Sequence, residues 1–342
     1  MKSIGLLNKS LNFGFMEAIV KKTESNAIKP YLDWSFKYMF GTEESKPNLI
    51  GFLNLMLNPE SEIVDLQFMN NESLPAGPNL KGCVFDIICK DANGDRFLIE
   101  VQTTQSVNIV DRIIYYTCRL IDRMGKRGSE WDYKDIKRVY SICLMTFTFE
   151  QHPKLRRDIQ LYDTEENKVF SDKMNIILLQ LPCLRAESMK ECTANYEFLL
   201  YLLKEMQNGM KTVEQLKKEV EETKLPQATK ELFYKVLDTA DESTLSDSQR
   251  IRYESDLKNY MDTMSCIEFA EIKGKTEGRA EGRAEGLAEG TAKGRAEGIA
   301  EGISQGKAEE KESIAKSLKK SGMPLAEIVK HTGLTAAEIE AL

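Results

Sequence analysis

Apolar residues at helical spacing run through 46–58 (KPNLIGFLNLMLN), with Pro47 near the start, and predict a short helix ending near Pro59. Three β-rich runs follow: 63–68 (IVDLQF), 82–90 (GCVFDIICK) and 96–103 (RFLIEVQT). The last two are joined by DANGD, whose Asn93-Gly94 pair signals a hairpin. Residues 107–124 predict an amphipathic helix in which Val110, Ile113, Ile114, Ile121 and Met124 form an apolar stripe. Arg112, Tyr116, Arg119 and Arg123 line a second stripe of the same helix. Segment 138–148 (RVYSICLMTFT) reads as a buried strand and 175–181 (NIILLQL) as one more. Through residue 148 the order is therefore helix, three strands, helix, strand, with 175–181 following this core. From 193 to 273 the pattern is helical, interrupted around Pro226 and across the polar stretch 241–249.

The hairpin carries the chemistry. Side chains alternate between faces of a strand, so Asp86 shares a face with Ile88, and Leu98, Glu100 and Gln102 share a face of the next strand. A two-residue Asn93-Gly94 loop would pair Asp86 with Val101 and send the acids to opposite sides. A three-residue loop, Ala92-Asn93-Gly94 with Gly94 left-handed, pairs Asp91 with Asp95 and hence Asp86 with Glu100. The second register is the one expected. Phe85, Ile87, Ile88, Ile99 and Val101 flank the acids with apolar surface, which argues against a solvated sheet face. Two carboxylates about 5 Å apart at Cβ in such a sheet repel unless a proton or a cation neutralises them.

Composition narrows the chemistry further. The chain has 342 residues and 42% hydrophobic content, enough for one full core plus appendages. Only two histidines are present, His152 and His331, so any metal must sit on oxygen ligands, which favour magnesium or manganese. His152, beside Pro153, reads as a loop residue. The seven cysteines are scattered, odd in number and without a C-x-x-C pair, which supports neither a disulfide framework nor a zinc ribbon and suits a reducing cytosol. No apolar run approaches the roughly 18 residues of a membrane span, and no signal peptide is apparent. A net charge of −7 argues against nonspecific coating of nucleic acid but leaves room for a local basic groove.

With Asp on the second strand and Glu-x-Gln on the third, this order of elements resembles the PD-(D/E)XK nuclease core. DWSFKYMFG (33–41), the VFDIICKDANG…FLIEVQ hairpin, Arg112, Tyr116 and a glycine-repeat tail are similar to the Rpn family of recombination-promoting nucleases or putative transposases. The resemblance covers roughly 27–342 and implies a restriction-endonuclease-like αβββαβ core with a mixed sheet. It implies a magnesium-dependent DNA endonuclease acting in recombination, mobile-element or phage-defence settings, with Asp86 and Glu100 as metal ligands. The superfamily's usual lysine is replaced by Gln102, which can orient water or a ligand but carries no charge. By the same resemblance Asp33 belongs near the site, although an N-cap reading is equally open. Lys37 meets a phosphate or stays solvated. Arg112, Tyr116, Arg119 and Arg123, extended by Lys126 and Arg127, either contact a DNA backbone or face water.

The expected organisation is an N-terminal segment (1–26), the nuclease core (27–190), a helical subdomain (191–273), a glycine-repeat helix or linker (274–309) and a small helical module (310–342). Nine glycines recur at every fourth position from Gly274 to Gly306, mostly as Gly-x-Ala-Glu. Each costs about 1 kcal/mol relative to alanine in a helix, so the tail is expected to be helical on self-association into a homo-oligomer and a linker otherwise. Residues 311–342 predict three short helices separated by SGMP and TGLT, as in a small helix-turn-helix. Its last helix, TAAEIEAL, has two glutamates and no arginine, so protein contact competes with DNA contact. Against the endonuclease stands a second reading, a non-catalytic oligomeric DNA- or protein-binding module on a degenerate nuclease fold.

Overall fold

The computed structural model describes residues 25–70, 72–73, 83–84, 86–106, 108–125, 132–148 and 153–342. Lys126, Arg127, His152 and Phe85, named above, lie outside them. The chain divides by packing between Met261 and Asp262.

The first unit is mixed α/β. Helix α1 (Asp33–Phe40) and helix α2 (Lys46–Leu57) precede strand β1 (Gln67–Phe68). Strands β2 (Glu72–Ser73) and β3 (Cys83–Val84) pair only with each other. Then follow β4 (Ile87–Lys90), β5 (Arg96–Gln102), α3 (Ile109–Asp122), β6 (Val139–Met145), β7 (Arg156–Asp163) and β8 (Lys168–Gln180). The main sheet has six strands in the order β1-β4-β5-β6-β8-β7. Its two central pairings, β5 with β6 and β6 with β8, are parallel, and the outer pairings are antiparallel. A parallel β5–β6 pair needs a crossover, and α3 supplies it.

Alternation along the strands sorts side chains into two layers. Phe97, Ile99, Ile142, Leu144, Ile177 and Leu179 join the large core beneath helices α4 (Asn195–Asn208), α5 (Val213–Glu222) and α6 (Gln227–Ala240). On the opposite face, Ile109 and Ile113 of α3 cover Cys143, Met145, Ile176 and Leu178, and Leu120 covers Ile88, Leu98 and Val139. Both faces are buried, as the near-continuous apolar runs of β5 and β6 require.

Four local expectations are corrected. Of 63–68 only Gln67 and Phe68 pair in the sheet, because the Asn54 side chain takes both backbone groups of Ile63 and Val64 is exposed. The run 82–90 is two strands in two sheets. In α3 the buried face is Ile109, Ile113, Thr117 and Leu120, continued past the helix end by Met124, while Val110 and Ile114 are exposed. Thr117 lies at the centre of that face because its hydroxyl bonds both the Ile113 carbonyl (2.7 Å) and the Ser141 hydroxyl (2.8 Å). A count of apolar residues alone passes over it and rotates the stripe. Lastly, β7 was not foreseen and β8 starts already at Lys168. Their outer halves are solvent-exposed and lack a buried pattern.

Helix α7 (Asp247–Lys320) begins in the first unit and contains the whole glycine repeat. A Cβ added at any of the nine repeat glycines would meet nothing within 4 Å. In the second unit the end of α7 packs with α8 (Leu325–Thr332) and α9 (Ala336–Ala341) around buried Ala315, Ile328 and Ile339. Gly322 (φ 80°) and Gly333 (φ 69°) make the left-handed turns between these helices. Thr335 and Glu338 form a capping box at the start of α9. Among the described residues no helix is long and apolar enough to cross a membrane.

Candidate active site

The β4–β5 ladder pairs Ile87 with Ile99, Ile88 with Leu98, Cys89 with Phe97 and Lys90 with Arg96. The Asp91 amide donates to the Asp95 carbonyl at 3.1 Å, and Gly94 is left-handed at φ 86°. This is the three-residue loop and the register expected from the acids' need to share a face. One step past the ladder's last pair, Asp86 stands opposite Glu100.

The two acids are fastened to each other's strand. The Val101 amide donates to Asp86 Oδ2 at 2.8 Å, and the Asp86 amide donates to Glu100 Oε1 at 3.3 Å. On its other oxygen, Oε2, Glu100 accepts from Gln102 Nε2 at 3.2 Å. Arg112 of α3 in turn donates from NH2 to Gln102 Oε1. The guanidinium thus fixes which way the amide points, and the amide fixes the carboxylate. Glu100 is only 8% exposed. Burial first, then the charge of Asp86, pushes its pKa up to about 8, against the pull of the Asp86 amide, Arg112 and Lys37. Burial pushes Asp86 up to about 6; the Val101 amide pulls the other way, and the charge of nearby Asp33 adds to the rise.

Helix α1 brings a third acid and a cation. Asp33 and Lys37, one turn apart, form an ion pair of 2.7 Å, and Lys37 Nζ lies 4.0 Å from Asp86 Oδ1. Asp33 is close enough to Asp86 for a hydrogen bond between their carboxyl groups. Gly41 ends α1 where an added Cβ would lie 2.9 Å from the Lys37 carbonyl and 3.2 Å from Ile87, so α1 presses directly on the strand next to Asp86.

Asp33, Lys37, Asp86, Glu100, Gln102 and Arg112 are therefore brought together. Tyr116 joins Glu100, Gln102, Arg112, Ser141 and Cys143 around a small cavity between sheet and α3. Arg119 lies further along α3 and Arg123 at its C-cap. Arg119 pairs with Asp122 at 3.0 Å, and Arg123 donates to the Asn70 carbonyl at 3.3 Å. Lys37 is turned toward acids. Sequence reasoning missed Asp256 of α7, whose carboxylate accepts from the Trp34 amide at the start of α1. No motif marks it, since it reaches the site from 222 positions away.

Among the described residues no three His, Cys, Asp or Glu side chains form a ready metal cage. Two facing carboxylates with a third acid beside them nevertheless suit a hard cation, because magnesium commonly uses one or two carboxylates and completes its shell with water and phosphate. The raised pKa values fit as well, since a bound cation relieves the repulsion that burial intensifies.

Over residues 30–270 the chain matches the family described as PD-(D/E)XK nuclease family transposase. No curated protein and no solved structure matches it.

Proposed function

Because the chain belongs to the PD-(D/E)XK nuclease family transposases, we propose that it is a divalent-metal-dependent DNA endonuclease whose centre is Asp86 and Glu100. Asp33 stands in support of the pair. The carrying observation is that buried Glu100 and half-buried Asp86 face each other, each held by a backbone amide from the other's side of the hairpin. Asp86 and Glu100, with Asp33 at the rim, would hold Mg²⁺ or Mn²⁺, which supplies Lewis-acid polarisation of the scissile phosphate and a bound water of lowered pKa.

The remaining side chains serve that pair. Gln102 orients Glu100, and Arg112 holds Gln102 while placing a positive charge next to the site. Lys37 offsets the accumulated negative charge and presents an ammonium to an incoming phosphate. Arg112 and Tyr116 are the DNA contacts closest to the chemistry, with Arg119 and Arg123 extending the same face of α3 toward the backbone of the duplex. The protein works in a reducing cytosol, and its glycine-repeat helix joins copies into a homo-oligomer. Two observations bear on that. The repeat glycines carry an entropic cost of roughly 1 kcal/mol each with no neighbour within 4 Å to explain it, and a Glu row and a variable row that includes Arg279, Arg283 and Arg295 flank them for pairing between copies.

One observation favours the non-catalytic alternative: the strand position that usually bears a lysine is a glutamine already engaged by Arg112. Nicking of supercoiled plasmid with and without Mg²⁺, by wild type and Asp86→Ala, separates the two. The endonuclease requires metal-dependent nicking that Asp86→Ala abolishes; equal activity in both proteins, or none in either, contradicts it.

A further inference from the structure

Helix α1 carries Asp33 and Lys37 into the site, yet it has no local N-cap. Its N-cap position is Leu32, which has no side-chain acceptor, so the first-turn amides have no partner from their own segment. In this eight-residue helix three amides, those of Asp33, Trp34 and Ser35, precede the first intrahelical bond, which runs from the Phe36 amide to the Leu32 carbonyl at 2.9 Å. Where such a helix starts is weakly determined by its own sequence.

The start is set from elsewhere in the chain. Asp256 Oδ2 accepts the Trp34 amide at 2.9 Å. One turn earlier on α7, the buried Tyr253 accepts the Lys29 amide on its hydroxyl at 3.3 Å, and its ring centroid lies 6.2 Å from that of Trp34. Two side chains on one face of α7 thus hold both ends of the segment leading into α1. A carboxylate at the first turn also complements the positive end of the helix dipole. Asp256 lies close enough to Asp33 and Lys37 for their charges to act on it.

We propose that Asp256 is a positioning residue for the acidic site: by accepting the Trp34 amide it fixes the start of α1, and with it the places of Asp33 and Lys37 beside Asp86. This rests on the endonuclease reading. Lys37 Nζ is 2.7 Å from Asp33 and 4.0 Å from Asp86, so a shift of one residue in the helix start, a rotation of about 100°, takes the ammonium out of the cluster. In this role the residue acts through α1, whose Trp34 amide it holds.

Steady-state nicking and amide exchange at Trp34 test this in the full chain. Asp256→Ala lowers kcat by about 10- to 100-fold with KM for DNA unchanged. Asp256→Asn keeps an oxygen acceptor and stays within about 3-fold of wild type, whereas Asp256→Glu keeps the charge, displaces the acceptor and loses most of the activity. The Trp34 amide exchanges faster in the Ala and Glu variants and at the wild-type rate in Asn. If Asp256→Ala does not fold, the Asn and Glu variants decide alone. Wild-type kcat in Asp256→Glu, or a loss in Asp256→Asn as large as in Asp256→Glu, overturns the proposal. Should wild type not nick DNA at all, the endonuclease reading falls and exchange still decides: unchanged Trp34 exchange in Asp256→Glu overturns the positioning role, and faster exchange there with protection in Asp256→Asn upholds it.

Discussion

Asp86 and Glu100 each accept a hydrogen bond from the other's strand, Asp86 from the Val101 amide and Glu100 from the amide of Asp86 itself. The acids are thereby locked side by side in a largely buried place where their charges oppose. Such an arrangement is held against repulsion by the backbone, and it is relieved by a proton or a cation.

The first consequence is a pH dependence of stability. The folded-state pKa of Glu100 is raised from the ordinary 4.5 to about 8, so between those values the native state binds more protons than the unfolded chain. Its contribution to stability is present below about 4.5 and declines as pH rises through that window. In metal-free buffer the Tm of wild type is expected to fall from pH 5 to pH 8 more steeply than that of Glu100→Gln, and added Mn²⁺ to raise Tm more at pH 8 than at pH 5. Calorimetry across pH checks both; identical slopes in the two proteins contradict the raised pKa.

Gln102 is expected to act through Glu100. Replacing it with alanine removes the Nε2 donor to Glu100 and the acceptor of Arg112 together. Nicking should fall about 10- to 100-fold, while the Tm changes by only a few degrees, because residue 102 is partly exposed at the end of its strand. Steady-state kinetics beside thermal melts read the two separately.

Gly41 should tolerate no larger residue. Its Cβ position lies 2.9 Å from the Lys37 carbonyl and 3.2 Å from Ile87 Cγ1, so Gly41→Ala forces α1 away from β4. A loss of about 1–3 kcal/mol in urea unfolding is expected, with reduced nicking because Lys37 moves with the helix.

The β4–β5 hairpin is legible in the sequence. Asn93-Gly94 located the turn, and the mutual placement of Asp86 and Glu100 selected the three-residue loop over the two-residue one. Other features escaped for identifiable reasons. The α3 stripe was rotated because Thr117 is polar by composition and buried by hydrogen bonding. Strand 63–68 was overextended because Asn54 is a local competitor for the Ile63 backbone. Asp256 was invisible because a long-range cap leaves no local pattern, and the same holds for the turning of Lys37 inward to Asp33 and Asp86.

The glycine repeat offers a test of assembly. Since no neighbour lies within 4 Å of the added Cβ atoms, Gly286→Ala with Gly290→Ala should strengthen the helix itself by about 1 kcal/mol per site. If copies meet along this row, the same pair weakens association by blocking close approach of backbones. Circular dichroism and sedimentation velocity are expected to move in opposite directions, and a rise in both would exclude glycine-mediated contact.

The sharing of a cation by two opposed acids is tested most directly by titrating Mn²⁺ into wild type, Asp86→Asn and Glu100→Gln by calorimetry at pH 7 in buffers of different ionisation enthalpy. Wild type should bind with release of a proton, because the raised carboxyl must ionise to become a ligand, and both variants should lose most of the affinity. Undiminished binding in either variant, or binding by wild type without proton release, would contradict the account.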